Sequence, residues 1–302
     1  SVATQVAILF IIIAVGFICS KKKMFDEKSI KALANFVLYI VIPSVIINSF
    51  NKEFDAQLGK KLLICVAWSA ILHTIFILLT YLFIHDKNDA KKRVLQFGSV
   101  FSNCGFMSLP LQQALLGDEG VFLGAAYIGV FNLLTWTYGL VLMSGQKSEI
   151  SIKKVFINPG VIGVAVGVIL FLSPVSLPEI ISAPVRHFAN LNTPLPMVII
   201  GYYLAQITTF SVLKDSRLIL GIVLRLVLFP VLGLVLMYFA GLRGTMLACM
   251  TIASSAPTAA NTTMFAAKYD RDTQTSVTMV AFSTLLSIIT MPLVISFALS
   301  IM

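Results

Sequence analysis

Charge is what this sequence has least of. Of its 302 residues only 12% are charged, where a soluble globular domain carries roughly a quarter. The acidic residues are Asp26, Glu27, Glu53, Asp55, Asp86, Asp89, Asp118, Glu119, Glu149, Glu179, Asp215, Asp270 and Asp272, and all fall in polar stretches between apolar runs. A buried carboxylate is the usual device of sodium- and proton-coupled carriers. Its absence argues against a carboxylate proton relay and against strong cation coupling, although sodium held by backbone carbonyls and amide oxygens stays an alternative.

Histidine and cysteine are scarce too. Three histidines, with no P-loop, no GxSxG and no HExxH, leave no enzyme constellation and no self-contained ATP-driven pump. Cys19, Cys65, Cys104 and Cys249 form no CxxC, so neither a disulfide framework nor a zinc site is expected. They read as packing residues in apolar helices, and no metal or cofactor is implied. The net charge of +9 comes from short basic clusters. No basic stripe interleaved with aromatics appears, which excludes a nucleic-acid partner.

What the chain has in quantity is apolar length. Residues of the hydrophobic class make up 58%, and the mean hydropathy is +0.94. Val2–Ser20, Val121–Met143 and Gln274–Met302 contain no charge and reach the ~18–20 residues that a spanning helix needs. The pattern predicts an all-α integral membrane protein with ten spans, at 2–20, 32–50, 62–84, 94–116, 121–143, 157–173, 188–208, 218–240, 244–267 and 275–300. The first span lacks a basic n-region and ends on Lys21-Lys22-Lys23, so it reads as a span and not a signal peptide.

Of the 22 Lys and Arg, sixteen fall after odd-numbered spans and five after even-numbered ones. The positive-inside rule then places the odd loops in the cytoplasm of a multi-pass plasma (inner) membrane protein and both termini outside. The polar stretch 144–156 divides the chain into halves, 1–143 and 157–302, of five spans each. An odd number per half makes the second half inverted. Gly16 and Gly163 are 147 residues apart, as are Pro110 and Pro257, which is the echo that an inverted repeat leaves.

Spans four and nine carry polar and proline residues where others are aliphatic. Span four contains Ser102-Asn103-Cys104-Gly105 and then Pro110; span nine contains Ser255-Ala256-Pro257-Thr258-Ala259-Ala260-Asn261. Proline removes a donor and clashes with the preceding turn, so both spans are expected to break at their prolines. If both break near the midplane, two helix N-termini face one centre and make an anion site without a cationic side chain. Asn103, Ser102, Thr258 and Asn261 would add donors. Pro43, Pro230 and Pro292 read as simple kinks. Asn132, Asn192 and Thr193 are further polar candidates. His73 is expected to be a neutral packing histidine, with a proton carrier as the alternative. Arg225 is expected to snorkel to the cytoplasmic interface, with pairing in a vestibule as the alternative.

These motifs carry a resemblance. Asn103-Cys104-Gly105-Phe106-Met107-Ser108-Leu109-Pro110-Leu111, with Ala114-Leu115-Leu116-Gly117, resembles the fourth-helix motif of the auxin efflux carrier family. Ala256-Pro257-Thr258-Ala259-Ala260-Asn261, with Phe265 through Tyr269, is similar to its ninth-helix motif. Asn35 through Pro43 resembles its second helix, and Arg225 through Pro230 its eighth. The family includes plant auxin exporters and bacterial permeases for small carboxylates. The resemblance implies ten helices in a five-plus-five inverted repeat. Helices four and nine would cross in an elevator-type transport domain, beside a scaffold of helices one, two, six and seven and a homodimer through helices one, two and seven. Carried over by position, Asn103 and Pro110 match the fourth-helix substrate-site residues, and Pro257 and Thr258 match the ninth-helix crossover. Cys104, Gly105, Asn261 and Asn132 join them as candidate substrate contacts read from this sequence, with Val45, Ile46 and Asn48 of span two expected on the scaffold side of the site. The expected activity is export of a small organic anion by alternating access. A sodium- or proton-coupled symporter, a non-transporting sensor and a channel are the competing expectations.

Overall fold

In a bilayer every backbone N–H and C=O must be satisfied within its own segment, so long apolar runs become helices. The computed structural model describes residues 2–146, 157–173, 177–206 and 215–301. Most of the 144–156 linker, with Lys147, Glu149, Lys153 and Lys154, lies outside the described residues, as does Lys214.

The elements are α1 (Val2–Lys21), α2 (Glu27–Phe50), α3 (Ala56–Phe83), α4 (Asp89–Val100), α5 (Cys104–Ser144), α6 (Pro159–Leu172), α7 (Glu179–Ala189), α8 (Pro194–Ala205), α9 (Ser216–Phe239), α10 (Gly244–Ser255), α11 (Asn261–Lys268) and α12 (Thr273–Ser300). Helices α1, α2, α3, α5, α9 and α12 are each long and apolar enough to cross a membrane, and α6 and α10 are shorter apolar helices. The fold is that of an all-helical membrane protein. Its outer faces carry residues such as Ile11, Leu63, Leu78, Ile169 and Leu293, while His73, Gln96, Gln112 and Arg225 are buried within. Apolar side chains outside and polar ones inside suit a lipid solvent.

Three predicted spans are not single helices. Span 94–116 divides into α4 and the first arm of α5; span 244–267 divides into α10 and α11; span 188–208 is split by the 3₁₀ turn Asn190–Asn192. Within α5 the chain turns at Gly117, whose φ of 63° and ψ of −155° suit glycine almost alone. That turn separates residues 104–116 from the apolar arm 118–144.

The prolines behave differently from expectation. Pro43, Pro110 and Pro230 each follow a five-residue π turn by one residue: Val37–Val41, Cys104–Ser108 and Leu224–Leu228. A proline ring collides with the carbonyl four residues back, and widening the preceding turn moves that carbonyl aside. Pro110 therefore does not break its helix. Pro292 lies inside α12 without such a turn.

The sequence halves interleave. Gly16 of α1 lies on the backbone of Val198 in α8, where an added Cβ would stand 2.4 Å from the Val198 carbonyl oxygen. Gly163 of α6 lies on the backbone of Pro43 in α2, with the same construction giving 3.0 Å to its Cα. α1 packs mainly on α8, and α2 on α6.

At one end of the bundle Lys91 Nζ sits 2.7 Å from Asp215 and 3.5 Å from Asp86. Partial burial acts to raise the Asp215 pKa, but the Lys91 ammonium and the N–H groups of Leu218 and Arg217 outweigh it, and the carboxyl titrates below its ordinary range. A carboxyl with a depressed folded-state pKa contributes stability above its unfolded pKa, near 4, and loses it as pH falls through the folded value. The Asp215→Asn protein should be about 1 kcal/mol less stable at neutral pH. Thermal melts of parent and variant should converge as the medium is acidified below pH 4; a constant gap would refute the assignment.

Candidate functional site

α4 ends at Val100, the chain leaves the helix extended at Phe101 (φ −93°, ψ 112°), and Asn103 (φ −76°, ψ 56°) turns it into α5 at Cys104. α10 ends at Ser255. Ala256 is held extended (φ −61°, ψ 149°) by the proline that follows it, and α11 starts at Asn261. The two extended segments pair antiparallel, with Ser102 opposite Thr258. Asn103 N donates to the Pro257 carbonyl at 2.7 Å, and Ala259 N donates to the Phe101 carbonyl at 2.9 Å. The backbone groups freed by each break are thus satisfied by the other break. Such irregular backbone survives at membrane depth only when it finds protein partners.

Two helix C-termini and two helix N-termini meet at this crossing. Orphan carbonyls and orphan N–H groups carry partial charges of opposite sign, roughly half an elementary charge per end. Arg225 settles the carbonyl side. It does not reach an interface; it is fully buried in α9. Its Nη1 donates to Ser99 O at 3.1 Å and to Val100 O at 2.9 Å, and its Nη2 donates to Ser254 O. One guanidinium therefore caps the ends of both α4 and α10. The expected snorkelling fails because the carbonyls at the breaks offer acceptors in the interior that no lipid-facing rotamer can match. An arginine alone in the apolar run 218–240 was the signal for this, since an intramembrane charge marks a functional site by default.

Two side-chain amides at the helix N-termini are uncommitted. Asn103 stands at the cap position of α5, where asparagine ordinarily bonds its own helix, yet its side chain makes no cap bond. Neither its amide nor that of Asn261 has a hydrogen bond within the described residues. Asn103 is 7% exposed, and Gly105 and Asn261 are partly open. A Cβ on Gly105 would stand 3.3 Å from Ile42 Cδ1, so this turn faces α2. α8 packs on the same turn.

The other sequence candidates fall into place around this. Thr258 is fully buried and its polar groups are committed, with Oγ1 donating to Gly98 O at 3.1 Å and N donating to Ser283 Oγ at 3.1 Å. Pro257 contributes its carbonyl to the pairing. Cys104 is buried, and its N–H donates to Ser102 O. Pro110 is buried in the first arm of α5, beyond the break. Val45 and Ile46 are buried in α2 and Asn48 is half-buried; Ile46 Cδ1 lies 3.6 Å from a Cβ position on Gly163 of α6. Asn132 bonds the Ile128 carbonyl of its own helix and presses on Gly160 of α6. Asn192 is buried in the turn before α8. His73 Nδ1 lies 2.7 Å from Ser69 O, and its ring packs 4.6 Å from that of Tyr127, the arrangement of a packing histidine. All four cysteines are free thiols.

Interrupted helices paired through their breaks, inside an all-helical membrane protein, are the frame of a membrane carrier and not of an enzyme. The profile of a family described as membrane transport protein matches residues 1–295. Among similar proteins, an uncharacterized transporter of Methanothermobacter thermautotrophicus is 24% identical, with 97% of each chain covered. An uncharacterized transporter of Methanocaldococcus jannaschii is 23% identical over 95% of this chain and 96% of its own. The chain belongs to the membrane transport protein family, the auxin efflux carrier family.

Proposed function

We propose that this transporter moves a small organic anion by alternating access, with the carboxylate held at the N-terminal side of the crossing. The observation that carries the reading is the pair of uncommitted amides, Asn103 and Asn261, beside two helix N-termini and with no buried acid to oppose an anion. No aspartate or glutamate among the described residues is buried. First-turn N–H groups without intrahelical acceptors attract anions.

The membrane topology belongs to the same proposal. Ten segments in two inverted halves, with odd loops cytoplasmic, bring α1 and α6 into equivalent positions. Their matched glycine contacts, Gly16 on α8 and Gly163 on α2, support that equivalence. So do the two interrupted helices, one from each half. The inside-negative potential then favours export of an anion by ~2.3 kcal/mol per charge per 100 mV.

Flux from proteoliposomes loaded with malonate, malate or indole-3-acetate tests this. An imposed inside-negative potential should accelerate loss of at least one of them over protein-free liposomes. Saturable binding without flux would make the protein a sensor, and single-channel currents would make it a channel; either result overturns the proposal.

A further inference from the structure

The Arg225 guanidinium asks for a role beyond packing. A cation at membrane depth is costly unless paired, and no carboxylate is buried among the described residues. Its partners are three backbone carbonyls at the ends of α4 and α10. Unwound carbonyls and half-helix C-termini are the ligands with which cation-coupled carriers hold sodium. A metal ion at the Ser99, Val100 and Ser254 oxygens would stand against the positive charge of the guanidinium that already donates to them, and like charges a few ångströms apart repel. The charge arithmetic agrees. Two helix C-termini amount to roughly −1, which the guanidinium offsets, and two N-termini leave roughly +1 beside Asn103 and Asn261.

We infer that Arg225 is a resident cation: it stands at the crossing in the place of a coupling ion, so the site takes its anion without one. Arg225 is thus a positioning residue, acting through α4 and α10 and not by touching the anion. The inference rests on the anion-transport reading, and the experiment below separates the two.

Purified full-length protein and its Arg225→Lys and Arg225→Gln variants are compared in sodium chloride and choline chloride. The thermal melt and the anion flux of the parent should be the same in both salts. Arg225→Lys keeps the charge and should retain sodium-indifferent flux. Arg225→Gln should lose roughly 10- to 100-fold in flux, the range for removing charge-assisted hydrogen bonds. Its melting temperature and flux should recover with sodium or millimolar methylguanidinium but not with choline. A role confined to packing would not create a cation requirement. Parent flux or stability that needs sodium overturns the inference, as does an Arg225→Gln protein that transports like the parent in choline. If Arg225→Gln does not fold, the parent and Arg225→Lys decide: sodium indifference in both sustains the inference, and a sodium requirement in either overturns it. A parent that moves no anion, while its melt is sodium-indifferent and the glutamine variant is rescued by methylguanidinium, defeats the transport reading and leaves the resident cation standing.

Discussion

Gly201→Val is expected to lower the stability of the detergent-solubilised protein by about 3 kcal/mol, the upper part of the range for overpacking. Gly201 lies where α8 touches α1 backbone to backbone. A Cβ there would stand 2.1 Å from the Ile13 carbonyl oxygen and 2.7 Å from Phe17 N. These are main-chain atoms, so no rotamer change relieves the clash. The reciprocal position, Gly16 against Val198, is equally closed. Small residues that let two backbones approach are how helices associate in lipid, where apolar burial provides no drive. Valine would push α1 and α8 apart along their whole contact. Gly129→Ala is the control, because its Cβ would meet Val164 only at 3.9 Å, and it should melt within about 1 kcal/mol of the parent. A Gly201→Val protein that melts with the parent would show that the helices do not touch in this way.

Asn103→Ala should have the opposite profile, with the fold kept and transport lost. The main-chain bonds of Asn103, donating to Pro257 O and accepting from Met107 N at 3.1 Å, are as available to alanine. The side-chain amide caps nothing, so removing it costs the folded protein little. A hydrogen bond to a charged ligand is worth about 1.5–3 kcal/mol, which corresponds to a loss of roughly 10- to 100-fold in anion affinity. Melting curves and proteoliposome flux, measured on the same preparation, check both halves of the expectation. Undiminished flux of every anion that the parent moves would remove Asn103 from the site. Thr258 offers a contrast within the same crossing: its hydroxyl is tied to Gly98 O, so its loss should reduce stability and flux together.

Sequence and structure agree best where the information is local. A break in the ninth span was legible at Pro257, because proline constrains both itself and Ala256. The same rule applied to Pro110 put the fourth-span break several residues too late. A π turn over Cys104–Ser108 absorbs that proline, and the chain unwinds earlier, at Phe101–Asn103. No residue of Phe101-Ser102-Asn103 forbids a helix. What keeps it extended is the strand-like pairing with Pro257 and Ala259, more than 150 residues along the chain. The role of Thr258 was hidden for the same reason, since its hydroxyl acceptor is separated from it by 160 residues.

Composition and patterning alone determined that this is a helical membrane protein, because apolar length and missing charge leave no other way to satisfy a backbone in lipid. They also determined that its fourth and ninth segments are irregular, since small polar residues and proline replace aliphatic ones there. Only the tertiary structure decided that the two irregular segments pair with each other, that Asn103 is left uncommitted while Thr258 is not, and that Arg225 turns inward. Each of those outcomes depends on which carbonyls and N–H groups a distant segment brings within about 3 Å.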